Sequence, residues 1–196
     1  MRVTKPVQVT VFSDFTCPFS YVTEAALLRL AGDLPLELSF RALELYPTPH
    51  PIPFDAVSDR VAVAHPLAEA LGIPLRSPTV LPRTRKAHEA ARFAAEKGVE
   101  REMRGAIYRA VFDDGLDVGR IDVLVQLAVS VGLDATEARV VLDVDRHTEA
   151  VLADGDLARR AGIEATPTLV IGTGSAARIV SGALPLAELK TILEQP

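Results

Sequence analysis

The one thiol of this 196-residue chain is Cys17, set in Cys17-Pro18-Phe19-Ser20 where a strand pattern gives way to a helix pattern. Proline suits the first helical position, because its missing N–H has no intrahelical use there. Cys17 is therefore expected at a helix N-terminus, beside unpartnered amides and the positive end of the helix dipole. Both favour a thiolate, and thiols so placed have pKa values of roughly 3.5–7.5 against about 8.5 for free cysteine. Ser20 lies one turn further along the same face, where its hydroxyl is placed to donate to the sulfur. An isolated cysteine is more often packed and inert. The strand–turn–Cys-Pro-X-X–helix setting favours the reactive reading, with a depressed pKa. A single cysteine closes no internal disulfide and builds no cysteine-based zinc site. Redox chemistry here needs a second sulfur from another molecule.

The second element is Ala165-Thr166-Pro167-Thr168, directly before an apolar run at Leu169–Ile171. A proline opening a strand is commonly a start or edge residue. The sharper reading is a cis Thr166–Pro167 bond facing Cys17, which the dipeptide alone does not favour. His50, His65, His88 and His147 lack a repeated ligand spacing, so no metal is expected. His88 reads as a helix-surface histidine or, more sharply, as a group that raises the thiolate fraction of Cys17. The basic run from Arg83 to Lys86 reads as a solvated helix start, or as a magnet for the carboxylates of a glutathione-like ligand. Phe15, Phe19 and Tyr21 flank the cysteine. Some of these rings belong to the core, and one or two are expected to line an apolar groove beside the sulfur.

The elements that must position these residues follow from periodicity. Residues 7–12 alternate and are β-branched, a strand. A helix is predicted over 17–31, closed near Gly32, and a second strand over 36–40. This β-α-β opening implies a parallel pair with a crossover helix. Prolines at 47, 49, 51 and 53 make an extended loop. Helical patterning then runs through 58–71, 84–97, 100–113, 120–131, 134–142 and 146–161. Strands at 168–171 and 178–181 enclose a Gly-rich turn, and a helix closes the chain over 185–193. Gly172-Thr173-Gly174-Ser175-Ala176-Ala177 fits a loose nucleotide-binding fingerprint, but a strand follows it where a helix is required. Asp113-Asp114-Gly115-Leu116-Asp117 lacks the bidentate Glu of a calcium loop.

Composition bounds the rest. Hydrophobic residues make up 48% and charged residues 24%, which excludes wholesale disorder. A net charge of −5 leaves no electrostatic footprint for nucleic acid. No apolar run reaches the ~18 residues of a membrane span, so no membrane partner is expected. The N-terminus shows no leader pattern, which points to the cytoplasm. Seventeen Arg against four Lys, with no Asn, follow a GC-rich genome rather than an activity.

Together, the Cys-Pro-X-X helix start and the Thr-Pro strand start on either side of a helical block resemble the thioredoxin superfamily, in its DsbA-like branch. Finer tracts are similar to the FrnE-like subgroup, related to kappa glutathione transferases and hydroxychromene-carboxylate isomerases. They are residues 12–21, Thr84-Arg85-Lys86-Ala87-His88, residues 110–117, and residues 161–168 followed by Val180-Ser181-Gly182-Ala183-Leu184-Pro185. The resemblance spans roughly residues 7–194. It implies an α/β thioredoxin fold, with a thioredoxin-like domain over 1–54 and 146–196 and a helical insertion over 55–145. It further implies that Cys17 is the attacking cysteine and Pro167 the cis-proline. Thr166 would offer its backbone to an extended substrate, with Pro18, Phe19, Phe15 and His88 around the substrate. The family's second cysteine is replaced here by Ser20. The implied function is a thiol–disulfide oxidoreductase working through one thiol, with no tightly bound cofactor and with glutathione or another small thiol as co-substrate. Its partner would be a disulfide-containing protein or a small-molecule thiol. Two other readings stay open: a glutathione-dependent isomerase or transferase, and a non-catalytic thioredoxin-fold binding module.

Overall fold

Alternation along the first strand decides which face of the sheet each residue meets. In β1 (Val7–Ser13), Val9 and Val11 are buried on one face and Phe12 on the other. The structure, a computed structural model, describes residues 6–195. The leaderless reading of the N-terminus and the outer limits of the two thioredoxin-like segments fall partly on residues outside that range.

Pro18 starts α1 (Pro18–Leu30), with Cys17 as its N-cap. The crossover returns the chain to β2 (Leu36–Ala42), which lies parallel to β1 with Val7 opposite Leu36 and Ser13 opposite Ala42. The helical block follows as α2 (Phe54–Leu71), α3 (Arg85–Glu96), α4 (Glu100–Phe112), α5 (Ile121–Ser130) and α6 (Ala135–Asp143). Then come α7 (Thr148–Arg160), β3 (Thr168–Ile171), β4 (Arg178–Ser181) and α8 (Leu186–Glu194). The sheet order is β2-β1-β3-β4, with β3 antiparallel to both β1 and β4. This is a thioredoxin fold carrying a helical insertion.

The structure corrects one boundary. α2 begins at Phe54, directly after Pro53, rather than near residue 58. Asp55 in its first turn suits the positive helix end, so the helix starts as soon as the prolines stop. The glycine-rich segment is a hairpin turn. Gly172 and Gly174 have φ of 85° and 66°, which side-chain-bearing residues adopt only with strain.

Two layers cover the sheet. Val9, Val11, Leu169 and Ile171 meet Leu27 and Leu30 of α1 and Leu189 and Leu193 of α8. On the opposite face Phe12 meets Ala158 of α7 and Ile163 just beyond it. A separate core fills the helical block and runs into α1 through Tyr21 and Val22. None of the helices among the described residues is long and apolar enough to cross a membrane.

Candidate active site

Cys17 sits where β1 hands over to α1. Its amide is held by the Asp14 carbonyl at 3.1 Å, and its own carbonyl takes the amides of Ser20 and Tyr21. The Thr166–Pro167 peptide is cis and precedes β3. Pairing of β1 with β3 brings this segment to the cysteine, and Cys17 Sγ donates to the Thr166 carbonyl at 3.3 Å. Pro167 is buried, and its carbonyl accepts from Gly182 N at 2.8 Å, which ties it to the end of β4. The Thr166 hydroxyl is buried with no hydrogen bond of its own.

Burial of the sulfur runs against the depressed pKa expected at a helix start. Cys17 is 1% exposed, and burial pushes its pKa above the ordinary thiol value. The Ser20 hydroxyl favours the thiolate, but not enough to offset desolvation. Ser20 is itself buried and accepts from the Asp14 amide at 3.4 Å. The resting group is therefore a thiol, with its proton turned toward the Thr166 carbonyl.

Beneath the cysteine lies a residue that the sequence reading passed over. Asp14 is buried, and its carboxylate accepts from Thr16 N at 2.8 Å, Thr16 Oγ1 at 2.9 Å, Leu45 N at 2.6 Å and Thr84 Oγ1 at 3.2 Å. One side chain thus ties together the β1–α1 turn, the chain leaving β2 and the start of α3. Burial raises its pKa, opposed chiefly by the Thr16 and Leu45 amides. Its negative charge adds to the rise at Cys17.

Two of the flanking residues are not groove walls. Phe15 is fully enclosed, with the His88 ring centroid at 4.7 Å, Tyr108 at 4.8 Å and the Arg104 guanidinium 4.9 Å above it. His88 is likewise no surface histidine. It is 2% exposed, because α3 is covered on most of its circumference, and its Nε2 has no partner. Burial pushes its pKa far down, helped by Arg104, Arg92 and Arg85. Near neutral pH it carries no charge with which to stabilise a thiolate. Pro18 is buried in the first turn of α1, and Phe19 is half-buried. Tyr21 belongs to the core, stacked on Tyr108 at 5.1 Å.

The basic run is half-buried, and its cations are engaged within the chain rather than free for an anion. Arg83 donates to the carbonyls of Tyr46 and His50, Arg85 pairs with Glu44, and Lys86 reaches Glu89, Asp145 and the Leu142 carbonyl. Among the described residues no three His, Cys, Asp or Glu side chains converge to hold a metal ion.

A second buried polar group was also missed. Arg104 of α4 grips Glu24 of α1 through Nε at 2.7 Å and Nη2 at 2.6 Å, and donates to Ser13 Oγ at 2.7 Å. Tyr108 donates to the same carboxylate at 2.7 Å. Charged residues are seldom fully buried unless paired, and these partners are 80 positions apart, so no local pattern shows them.

Comparison with known proteins agrees with this geometry. The family model for a DSBA-like thioredoxin domain matches residues 8–194. The uncharacterized protein YwbO of Bacillus subtilis is 33% identical over 180 residues, covering 85% of this chain and 87% of that protein. The structure of a probable DsbA oxidoreductase from Streptomyces coelicolor has a TM-score of 0.82 at 27% identity, over 96% of this chain and 89% of that one. The cytosolic disulfide reductase DsbM of Pseudomonas aeruginosa, solved with GSH, shares the fold, with a TM-score of 0.71 at 16% identity over 95% of this chain and 99% of its own.

Proposed function

The chain belongs to the DSBA-like thioredoxin domain family, a family of thiol–disulfide oxidoreductases, and from that premise we propose that it exchanges disulfides through the single thiol of Cys17 with glutathione as the outside thiol. The observation that carries this reading is the 3.3 Å contact between Cys17 Sγ and the carbonyl that precedes cis-Pro167. It puts the sulfur at a helix start, against a backbone segment that can receive an extended substrate.

The thiol must lose its proton before it attacks. A substrate N–H that takes the Thr166 carbonyl removes the acceptor that favours the thiol form. Cys17 then strikes one sulfur of the substrate disulfide R–S–S–R′. The Cys17–S–S–R bond forms, the R–S–S–R′ bond breaks, and R′–S⁻ leaves and takes up the proton that Cys17 gave away. Ser20 offers no second sulfur, so this mixed disulfide waits for an outside thiolate. A glutathione thiolate attacks the Cys17 sulfur and frees R–S⁻. A second glutathione clears the Cys17–glutathione disulfide as oxidised glutathione and restores the thiol. The net reaction consumes two glutathiones and one substrate disulfide, and yields two substrate thiols and one oxidised glutathione. Such a cycle suits a reducing compartment, hence the cytoplasm.

The test is trapping. Incubation with a model disulfide, followed by non-reducing mass spectrometry, should give one adduct on Cys17 that persists until thiol is added. Ser20→Cys should convert that adduct to an internal disulfide. An adduct that clears from the wild-type chain without added thiol overturns the proposal.

A further inference from the structure

A cavity lies at the junction of α1, β2 and α4, apart from Cys17. It encloses about 150 Å³, and Tyr21, Leu28, Phe40 and Ile73 supply apolar wall. Its polar floor is already satisfied. Glu24 is held by Arg104 and Tyr108, and the Arg104 guanidinium lies 4.5 Å over the Phe40 ring. The floor is therefore closely neutral and offers a ligand no bare carboxylate.

The mouth is formed by α4. Arg101, Gly105 and Arg109 are four residues apart, so they line one face of the helix at intervals of about 6 Å. Both arginines are exposed, and among the described residues neither forms an ion pair or a side-chain hydrogen bond. Between them Gly105 leaves a gap. Its φ is not in the left-handed region, so the backbone does not require glycine. A Cβ added there would meet only the Arg109 guanidinium, at 3.5 Å. Glycine inside a helix weakens it, and what it provides here is room at the mouth, into which the unpaired Arg109 guanidinium reaches, with Arg101 one turn away.

We propose that this cavity is a second ligand site, for a small carboxylate carried on a single apolar ring. The volume sets the ring: an apolar cavity of about 150 Å³ elsewhere holds benzene. The walls favour an apolar body, and the guanidinium forks at the mouth match a carboxylate in shape and charge. Drug-sized ligands need roughly 300 Å³ or more and do not fit.

Benzoate is the probe, read by the methyl resonances of Leu28 and Ile73. The expected result is saturable one-to-one shifts of both residues. The neutral isostere benzamide should bind at least tenfold more weakly, as should benzoate to the Arg101→Gln/Arg109→Gln variant. Gly105→Leu, which fills the room at the mouth and strengthens the helix, should abolish saturable shifts without lowering the melting temperature. Absence of saturable shifts with benzoate overturns the proposal. So does equal binding of benzamide, or wild-type affinity in the double arginine variant, whose changes are on the surface and leave folding intact.

Discussion

The Cys17 thiol donates to the Thr166 carbonyl across 3.3 Å, joining two points 149 residues apart in the chain. The contact couples the helix start to the segment before Pro167, and it favours the protonated form of the sulfur. A carbonyl accepts from a thiol but repels a thiolate. Burial acts in the same direction, and it outweighs the Ser20 hydroxyl and amide and the Thr166 side chain, which favour the thiolate.

The first prediction concerns ionisation. Thiolate absorbance or iodoacetamide alkylation should titrate above the free-cysteine range, since burial raises the Cys17 pKa. Ser20→Ala removes a group that favours the thiolate, and should slow alkylation at pH 7 by about three- to tenfold. A titration below the free-cysteine value, or faster alkylation in the variant, would contradict the burial argument.

Asp14→Asn should move the same quantity the other way, because the Asp14 charge opposes the thiolate. The effect should be smaller than that of Ser20→Ala. The variant should also be less stable. An amide in place of the carboxylate turns one of its oxygens into a donor facing donors from Thr16, Leu45 or Thr84. Urea midpoints and alkylation rates on one sample check both outcomes.

The Glu24–Arg104 pair gives a stability prediction. Both side chains are 4% exposed. Arg104→Met leaves Glu24 buried without its cation, and should cost about 3–5 kcal/mol in urea unfolding. Adding Glu24→Gln should recover part of that loss, because the uncompensated charge is gone. A single variant within ~1 kcal/mol of wild type would contradict the burial of the pair.

His88 sets an acid limit. Its pKa is depressed in the folded chain, so the unfolded chain binds the proton more readily. The contribution to stability is complete above the unfolded value, near pH 6.5, and is lost as pH falls from there toward the folded pKa, by up to about 1.4 kcal/mol per pH unit. His147 shifts the same way and Asp14 the opposite way, so the difference between wild type and His88→Phe isolates the effect. Urea midpoints between pH 7.5 and 5.5 should fall less steeply for His88→Phe. Parallel profiles would place the His88 ring in contact with solvent.

Legibility in the sequence follows the range of the interactions. Alternation in β1 and β2, Pro18 at the first helical position and the turn at Gly172 and Gly174 are local, and each element stands where the pattern puts it. Burial of Cys17 and His88 is not local. It depends on Thr166 meeting Cys17 and on Phe15 meeting His88, contacts which no window around either residue records. Asp14, Glu24, Arg104 and Asp154 resemble surface residues in sequence. Asp154 of α7 accepts from Arg41, Arg92 and the Ala42 amide, partners that the fold alone brings together. Only Phe15 carried a usable signal, since a large ring in a tight turn before a buried helix has little choice but the core.

The most direct test of single-thiol chemistry is the initial rate of disulfide reduction against glutathione concentration, corrected for the uncatalysed reaction, for wild type and Ser20→Cys. The wild-type rate should fall to zero as glutathione is withdrawn, because no second cysteine exists to resolve the Cys17 mixed disulfide. Ser20→Cys should complete one turnover without it. A wild-type rate that persists undiminished without any added thiol would contradict the mechanism.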